Sequence, residues 1–430
     1  MSAVATATPI EAVSTKSFEA PSNGKSSQTV NLEDFRTRFT AAIEQLQGAF
    51  IDRDDACRVL ALASLTGNNA LFVGDPGTGK SALIECFVKH FDQARFFDEL
   101  CGSFTTLDQL VGPTDIKAFQ KGQWNRCVDD MLPTAHVAFL DEVMKANDGT
   151  INSLLRILNE RAFGGVRIPL RVLVAATNWP EVDQRTDNVE AMYDRFVLRL
   201  EVNDIPVYRD PPQGQSVDDA EKVRLVEMFA DMLETEEADD YVPATRFTID
   251  ELDAAVAAVG EVTIERQTRL RLGDIRRRLA ADGVHISSRR AKKMQNVLSA
   301  QAWLSGSDTV TLEHFDVLAY GFWIDRPHIE IISGILDSID LKVVSECVKL
   351  LDDARTKCAS LLKQSKAQRR RQATSVIEAM TAAAEGVHKI LETEGCTERG
   401  RQRIADEMQK MRDAYSELKA STEIVKKGGS

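Results

Sequence analysis

Five short apolar runs, at residues 70–73, 94–97, 136–140, 170–176 and 196–200, alternate with stretches whose apolar residues recur every three or four positions. That alternation predicts a parallel sheet with crossover helices. Ahead of the first run, Phe35, Phe39, Ile43, Leu46, Val59, Leu60, Leu62 and Ala63 fall at helical spacing and predict two amphipathic helices. Between the second and third runs, Phe119-Gln120-Lys121-Gly122-Gln123-Trp124 sets a glycine among polar and aromatic residues, as at a hairpin tip. Phe163-Gly164-Gly165-Val166 gives the same signal just before the fourth run.

The pattern breaks at Asp210-Pro211-Pro212-Gln213-Gly214, and residues 234–240 are acidic. Beyond the break the chain reads as helices. Thr248-Ile249-Asp250-Glu251 is a capping-box pattern, and Val256, Val259, Leu270, Leu272, Ile275 and Leu279 supply apolar faces. Residues 331–427 contain no proline and no strand signal, and predict a long helix followed by a helical hairpin open to coiled packing. Residues 1–30 hold ten Ser or Thr and one aromatic, too little apolar surface to offset the entropy of ordering. The expected organisation is a disordered tail over 1–30, an α/β core over 31–210, an all-α lid over 211–328 and an all-α extension over 329–430.

Composition narrows the function classes. With 430 residues, 43% of them hydrophobic and 28% charged, each domain can bury its own core. A formal net charge of -13 argues against a general nucleic-acid grip, which rests on Lys and Arg neutralising phosphates. Seven cysteines, an odd number without a C-x-x-C pair, read as reduced packing residues of a cytoplasmic protein. No targeting peptide and no membrane-spanning run is expected.

The candidate chemistry lies at the ends of the predicted strands. Gly74-Asp75-Pro76-Gly77-Thr78-Gly79-Lys80-Ser81 follows the first strand and opens a helix. A loop of this kind aims backbone N–H groups at a polyphosphate, Lys80 reaches the outer phosphates and the Ser81 hydroxyl can ligate Mg²⁺. The third strand ends in Asp141-Glu142. Ligands of a parallel sheet sit at the C-terminal strand ends, so Asp141 can hold the Mg²⁺ shell and Glu142 can act as general base. Asn178 ends the fourth strand with an amide able both to donate and to accept. Arg195, before the fifth strand, is a candidate for reaching a neighbouring subunit's phosphate, and Arg289 a candidate contact from the lid, with Arg290 the weaker choice. A structural or surface role is the plain alternative for each arginine. Runs Arg276-Arg277-Arg278 and Arg369-Arg370-Arg371 read as solvated helix faces, and Trp124 as either a partner or substrate contact or packing.

Taken in order, these motifs resemble the MoxR family of AAA+ ATPases, most closely its RavA-like branch, over residues 35–327. The resemblance includes Gly112-Pro113, Met131-Leu132-Pro133, Lys145-Ala146, Leu158-Asn159-Glu160-Arg161 and Tyr193-Asp194-Arg195. It implies that Lys80 is the Walker A lysine, Asp141 and Glu142 the Walker B pair, Asn178 sensor 1, Arg195 the arginine finger and Arg289 sensor 2. It further implies that 116–127 and 163–166 are channel-facing loops, and that the protein is an ATP- and Mg²⁺-dependent homo-hexamer. Such a ring remodels a protein client, commonly beside a von Willebrand factor A domain protein. An ATP-dependent scaffold with little turnover and a nucleic-acid motor are the competing expectations. The C-terminal hundred residues do not resemble the β-rich module that some RavA-like proteins carry.

Overall fold

The apolar runs form a parallel sheet from β1 (Ala70–Val73), β2 (Phe96–Leu100), β3 (Val137–Asp141), β6 (Val172–Thr177) and β7 (Leu198–Glu201), ordered 2-3-6-1-7. A separate antiparallel hairpin joins β4 (Ala162–Phe163) to β5 (Val166–Arg167). This computed structural model describes residues 30–179, 187–204, 240–394 and 396–423. Its chain divides into two compact units, Met1–Val256 and Ala257–Ser430.

Strands β1 and β6 are buried throughout and β3 up to its last residue, as inner strands of a parallel sheet covered on both faces must be. Pairing is in register from Ala70 opposite Val174 and Leu198, and from Ala138 opposite Phe97 and Leu173. The second strand lies two residues later than the apolar run predicts. As an edge strand it accommodates Asp98 and Glu99, which hid it from an apolarity criterion.

Helix α1 (Leu32–Ala49) begins where Asn31 caps the Glu33 and Asp34 amides, and it buries Phe35, Phe39, Ala42 and Leu46. Helix α2 (Asp54–Thr66) buries nearly every residue from Ala56 to Leu65 and packs against β1, β6 and β7. Phe247 packs on Phe35, Phe39 and Phe91, with ring centroids 5.6, 5.2 and 4.6 Å away, and so binds the segment leading to the second unit to the sheet unit.

The first predicted hairpin takes another form. Asp115 accepts from the Lys117 and Ala118 amides and starts one helical turn, Ile116–Phe119, while Thr114 and Arg126 bridge antiparallel at the base. At its tip Trp124 is 63% exposed and stacks edge-on against Phe119. The second is a hairpin proper: Gly164 and Gly165 take φ of +58° and +83°, which their neighbours could not adopt cheaply.

The second unit is helical. After a helix over Ile249–Gly260 come helices over Arg266–Ala281, Ser288–Leu304 and Arg326–Asp337. Three long helices follow, over Leu341–Leu362, Lys366–Glu394 and Glu398–Glu423, packed on one another. Val344, Cys347, Leu351, Ala354, Cys358 and Leu361 form the buried stripe of the first, at alternating spacings of three and four that give coiled-coil-like packing. This bundle is tied to the preceding helices. Arg399 N–H donates to Asp316 Oδ2 (2.9 Å), Arg401 pairs with Glu313 (2.8 Å), and the buried Asp340 accepts from Thr397 N–H (2.6 Å). Among the described residues no helix is long and apolar enough to cross a membrane. The N-terminal tail, the 210–214 break and most of the acidic stretch lie outside the described residues.

Candidate active site

Gly74 closes the turn after β1 by donating to the Thr177 carbonyl (3.0 Å), which ties the loop to the end of β6. A Cβ on Gly74 would overlap the Val202 carbonyl oxygen, so no other residue fits. Gly79 adopts φ +76° and caps the helix over Lys80–Val88. Asp75, Pro76, Gly77 and Gly79 are exposed, Ser81 is half-buried, and Thr78 and Lys80 are buried. The Lys80 ammonium donates to Gly74 O (3.0 Å), Asp75 O (2.7 Å) and Thr78 Oγ1 (3.0 Å). Burial lowers its pKa against the pull of Asp141, Glu142 and Asp75, so these three carboxylates share its electrostatic neighbourhood.

Arg53 supports the loop from behind, and no sequence motif marks it. Its buried guanidinium donates to Thr78 O (3.2 Å), Asn203 O (3.0 Å) and Asp52 O (2.7 Å), joining the phosphate loop to the segment after β7. Burial lowers its pKa, opposed by Asp52 and Asp204.

At the end of β3, Asp141 Oδ1 accepts from the Glu142 amide (2.9 Å). Glu142 sits at φ +50°, ψ +33°, left-handed backbone that costs a non-glycine residue on the order of 1–3 kcal/mol. Its Oε1 accepts from Asn178 Nδ2 (3.3 Å) and from Lys145 Nζ (3.0 Å). Its Oε2 is buried and has no partner among the described residues. The structure thus gathers Lys80, Asp141, Glu142 and Asn178 at one end of the sheet. Ser81 and Asp141 offer the hard oxygens that Mg²⁺ takes beside substrate phosphates. Among the described residues no cluster of three or more His, Cys, Asp or Glu is placed to hold a metal.

Arg195 is not part of that gathering. It ends the helix over Asp187–Arg195, and Asn69, the residue before β1, donates to its carbonyl (3.2 Å). Asn69 and Gly74 stand at opposite ends of β1, about 16 Å apart at roughly 3.3 Å per residue. The buried Arg199 fixes the same segment by donating to Tyr193 O (2.6 Å) and Phe196 O (3.2 Å). In the helical unit Arg290 is buried and donates to Gly321 O (3.0 Å), whereas Arg289 is exposed on the first turn of its helix.

A parallel sheet ordered 2-3-6-1-7, with a glycine-rich phosphate loop after its first strand and paired carboxylates after its third, defines a nucleotide-binding protein of the AAA+ class. Residues 37–210 match a family model described as the MoxR domain in the MoxR-vWA-beta-propeller ternary systems, and residues 270–336 match the AAA lid domain. MJ0079, an uncharacterized protein of Methanocaldococcus jannaschii, is 32% identical over 308 residues, covering 70% of this chain and 74% of its own. Protein MoxR of Paracoccus denitrificans is 25% identical over 190 residues, 40% of this chain and 52% of its own. A solved chain from Cytophaga hutchinsonii, described as an ATPase, shares the fold with a TM-score of 0.53 at 17% identity, covering 72% of this chain and 96% of that one. The chain belongs to the MoxR family of AAA+ ATPases.

Proposed function

We propose that this protein binds ATP with Mg²⁺, hydrolyses it in a ring of like subunits, and uses the cycle to remodel or assemble a protein partner. The observation that carries the hydrolytic reading is Glu142. Its backbone is strained, Asn178 and Lys145 orient one carboxylate oxygen, and the other is buried with no partner among the described residues. A general base for the attacking water needs such a free lone pair held in a fixed direction.

In this reading the amides of residues 74–81 cradle the phosphates, and Lys80 turns its ammonium from the loop carbonyls to the terminal phosphate. Ser81 and Asp141 would hold Mg²⁺, which supplies charge neutralisation on the phosphates. Asn178 keeps Glu142 in line and senses the terminal phosphate. Arg195 lies at the far end of the sheet from its own loop, so its charge serves a nucleotide held by a neighbouring subunit. Of the two lid arginines Arg289 is proposed as sensor 2, because Arg290 donates into the unit's own interior.

A ring arrangement, six subunits by the family's habit, and a cytoplasmic location are parts of the same proposal. So is a partner with a von Willebrand factor A domain, with a β-propeller protein as the third member; the support is the family whose model matches residues 37–210. The RavA-like affinity rests on the motif set alone. The first test is turnover of the purified chain with Mg²⁺-ATP. Glu142→Gln should retain ATP binding and lose on the order of 10²–10⁴ in kcat. Turnover by wild type no faster than by a Lys80→Ala control would remove the enzyme from this account.

A further inference from the structure

At the end of the sheet opposite the phosphate loop, three buried side-chain donors have no acceptor among the described residues: Asn68 Nδ2, Arg161 Nη1 and Arg195 Nε. They cluster around the residues that lead into β1. Arg161 Nη2 donates to Gly67 O (3.0 Å) and Asn69 Oδ1 (2.6 Å), and Asn69 Nδ2 donates on to Arg195 O (3.2 Å). Other buried arginines of the unit are treated differently, since Arg53 and Arg199 direct their donors to carbonyls.

Arg161 is the least compensated charge of the three residues. Burial brings its pKa down to about 10, and the charged group that bears on it is another cation, Arg171. Its backbone is fixed in the left-handed region (φ +49°), with its N–H on Ile157 O and its carbonyl accepting from Ile168 N–H at the base of the β4–β5 hairpin. Arg161 is half-buried by surface, and its buried Nη1, with no carboxylate bearing on the group, is costly in an isolated chain. It is economical where assembly brings an anion to it.

We infer that Asn68 and Arg161 join Arg195 in an anion-accepting edge that a second copy of this chain completes. The inference rests on the ring reading above and adds two residues to it. Asp194 Oδ2 lies 3.4 Å from Arg195 Nη1, but the buried atoms left over at Asn68, Arg161 and Arg195 are all donors, so what they take is an anionic oxygen. Head-to-tail association sets one copy's arginine end against the next copy's phosphate end. Either the terminal phosphate of the nucleotide held there or a carboxylate of that copy supplies the oxygen.

Asn68→Ala is the variant safest for the fold, because the Asn68 amide group has no hydrogen bond to lose. If Asn68 serves only its own chain, self-association and turnover stay as in wild type whatever happens to melting. The inference predicts unchanged or slightly raised melting, with self-association in sedimentation velocity and turnover both reduced severalfold. Arg161→Lys, which keeps the charge and removes the fork, should bind ATP as wild type does and lose about tenfold or more in kcat. Mixed 1:1 with Lys80→Ala, it should recover roughly a quarter of the wild-type rate, the share of interfaces that pair an intact loop with an intact edge. If the oxygen is a phosphate, these variants weaken assembly in ATP and not in ADP; if it is a carboxylate, they weaken it in both. Rescue of Arg195→Ala by Lys80→Ala without rescue of Arg161→Lys would overturn the inference and leave the ring standing. Rescue of neither would remove both, and wild-type behaviour of Asn68→Ala and Arg161→Lys would sink the inference alone.

Discussion

At the residue scale, the candidate site separates groups proposed to touch substrate from groups that hold them. Lys80, Asp141, Glu142 and Asn178 are legible in the sequence because phosphate chemistry requires those residue types at strand ends and at fixed spacing. Arg53, Arg199 and Asn69 are not. Arg53 and Asn69 donate to main-chain carbonyls far away in sequence, and Arg199 to carbonyls of the turn just before it, and none of these bonds belongs to a motif whose spacing could be read. Arg53→Met, which keeps most of the stem, would leave Thr78 O and Asn203 O without its donors. Thermal or urea unfolding should show a loss of about 2 kcal/mol or more. The KM for ATP should rise more than kcat falls, since the loop and not the base is loosened. An unchanged melting temperature with unchanged KM would show that Arg53 does not support the loop.

At the scale of elements, the inner strands and both leading helices follow from apolar spacing, whereas the edge strand and the 114–126 loop depend on tertiary pairing that spacing does not reveal. The C-terminal helices show a similar limit. The sequence predicts helix, and packing decides where the bundle is pinned. Gly400 lies in the first turn of the last helix, where alanine would ordinarily add about 1 kcal/mol of stability. Here a Cβ would overlap Asp340 Oδ2, the buried carboxylate that accepts from Thr397 N–H. Gly400→Ala should therefore destabilise the unit by about 1–2 kcal/mol, and a stabilised variant would refute the close approach.

A second element-scale prediction concerns His90, which ties the chain after α2 and β1 to residues 241–245. Thr245 O can only accept, so Nδ1 (2.7 Å) carries the proton and Nε2 accepts from the Tyr241 hydroxyl (2.8 Å). Burial lowers the His90 pKa; the Thr245 bond opposes this and Arg246 adds to it. Burial, then Arg95 and Arg171, lower that of His136 as well. Above about pH 6.5 both folded and unfolded states are neutral and the full stability is present. As pH falls below that, the unfolded chain takes protons that the native state refuses, and stability drops by at most about 1.4 kcal/mol per pH unit per histidine. Melting between pH 7 and pH 5 should show this fall, and His90→Gln, which can keep both hydrogen bonds, should flatten part of it. Equal slopes for the two proteins would contradict the assignment.

At the scale of the whole molecule, the sheet's polarity is the organising fact. One end holds the phosphate loop, the carboxylates and Asn178, and the other holds Arg195, clamped by Asn69 and Arg199. Sequence places Arg195 before a strand, and the parallel pairing of that strand with β1, Ala70 opposite Leu198, sets it at the end away from its own loop. A catalytic centre divided in this way is complete only between copies, and that is the central claim. Its most direct test is the ATP turnover of 1:1 mixtures of Lys80→Ala and Arg195→Ala, each nearly inactive alone. The account predicts recovery to roughly a quarter of the wild-type rate, from the interfaces where an intact loop meets an intact arginine. Mixed assemblies that stay as inactive as their components would contradict it.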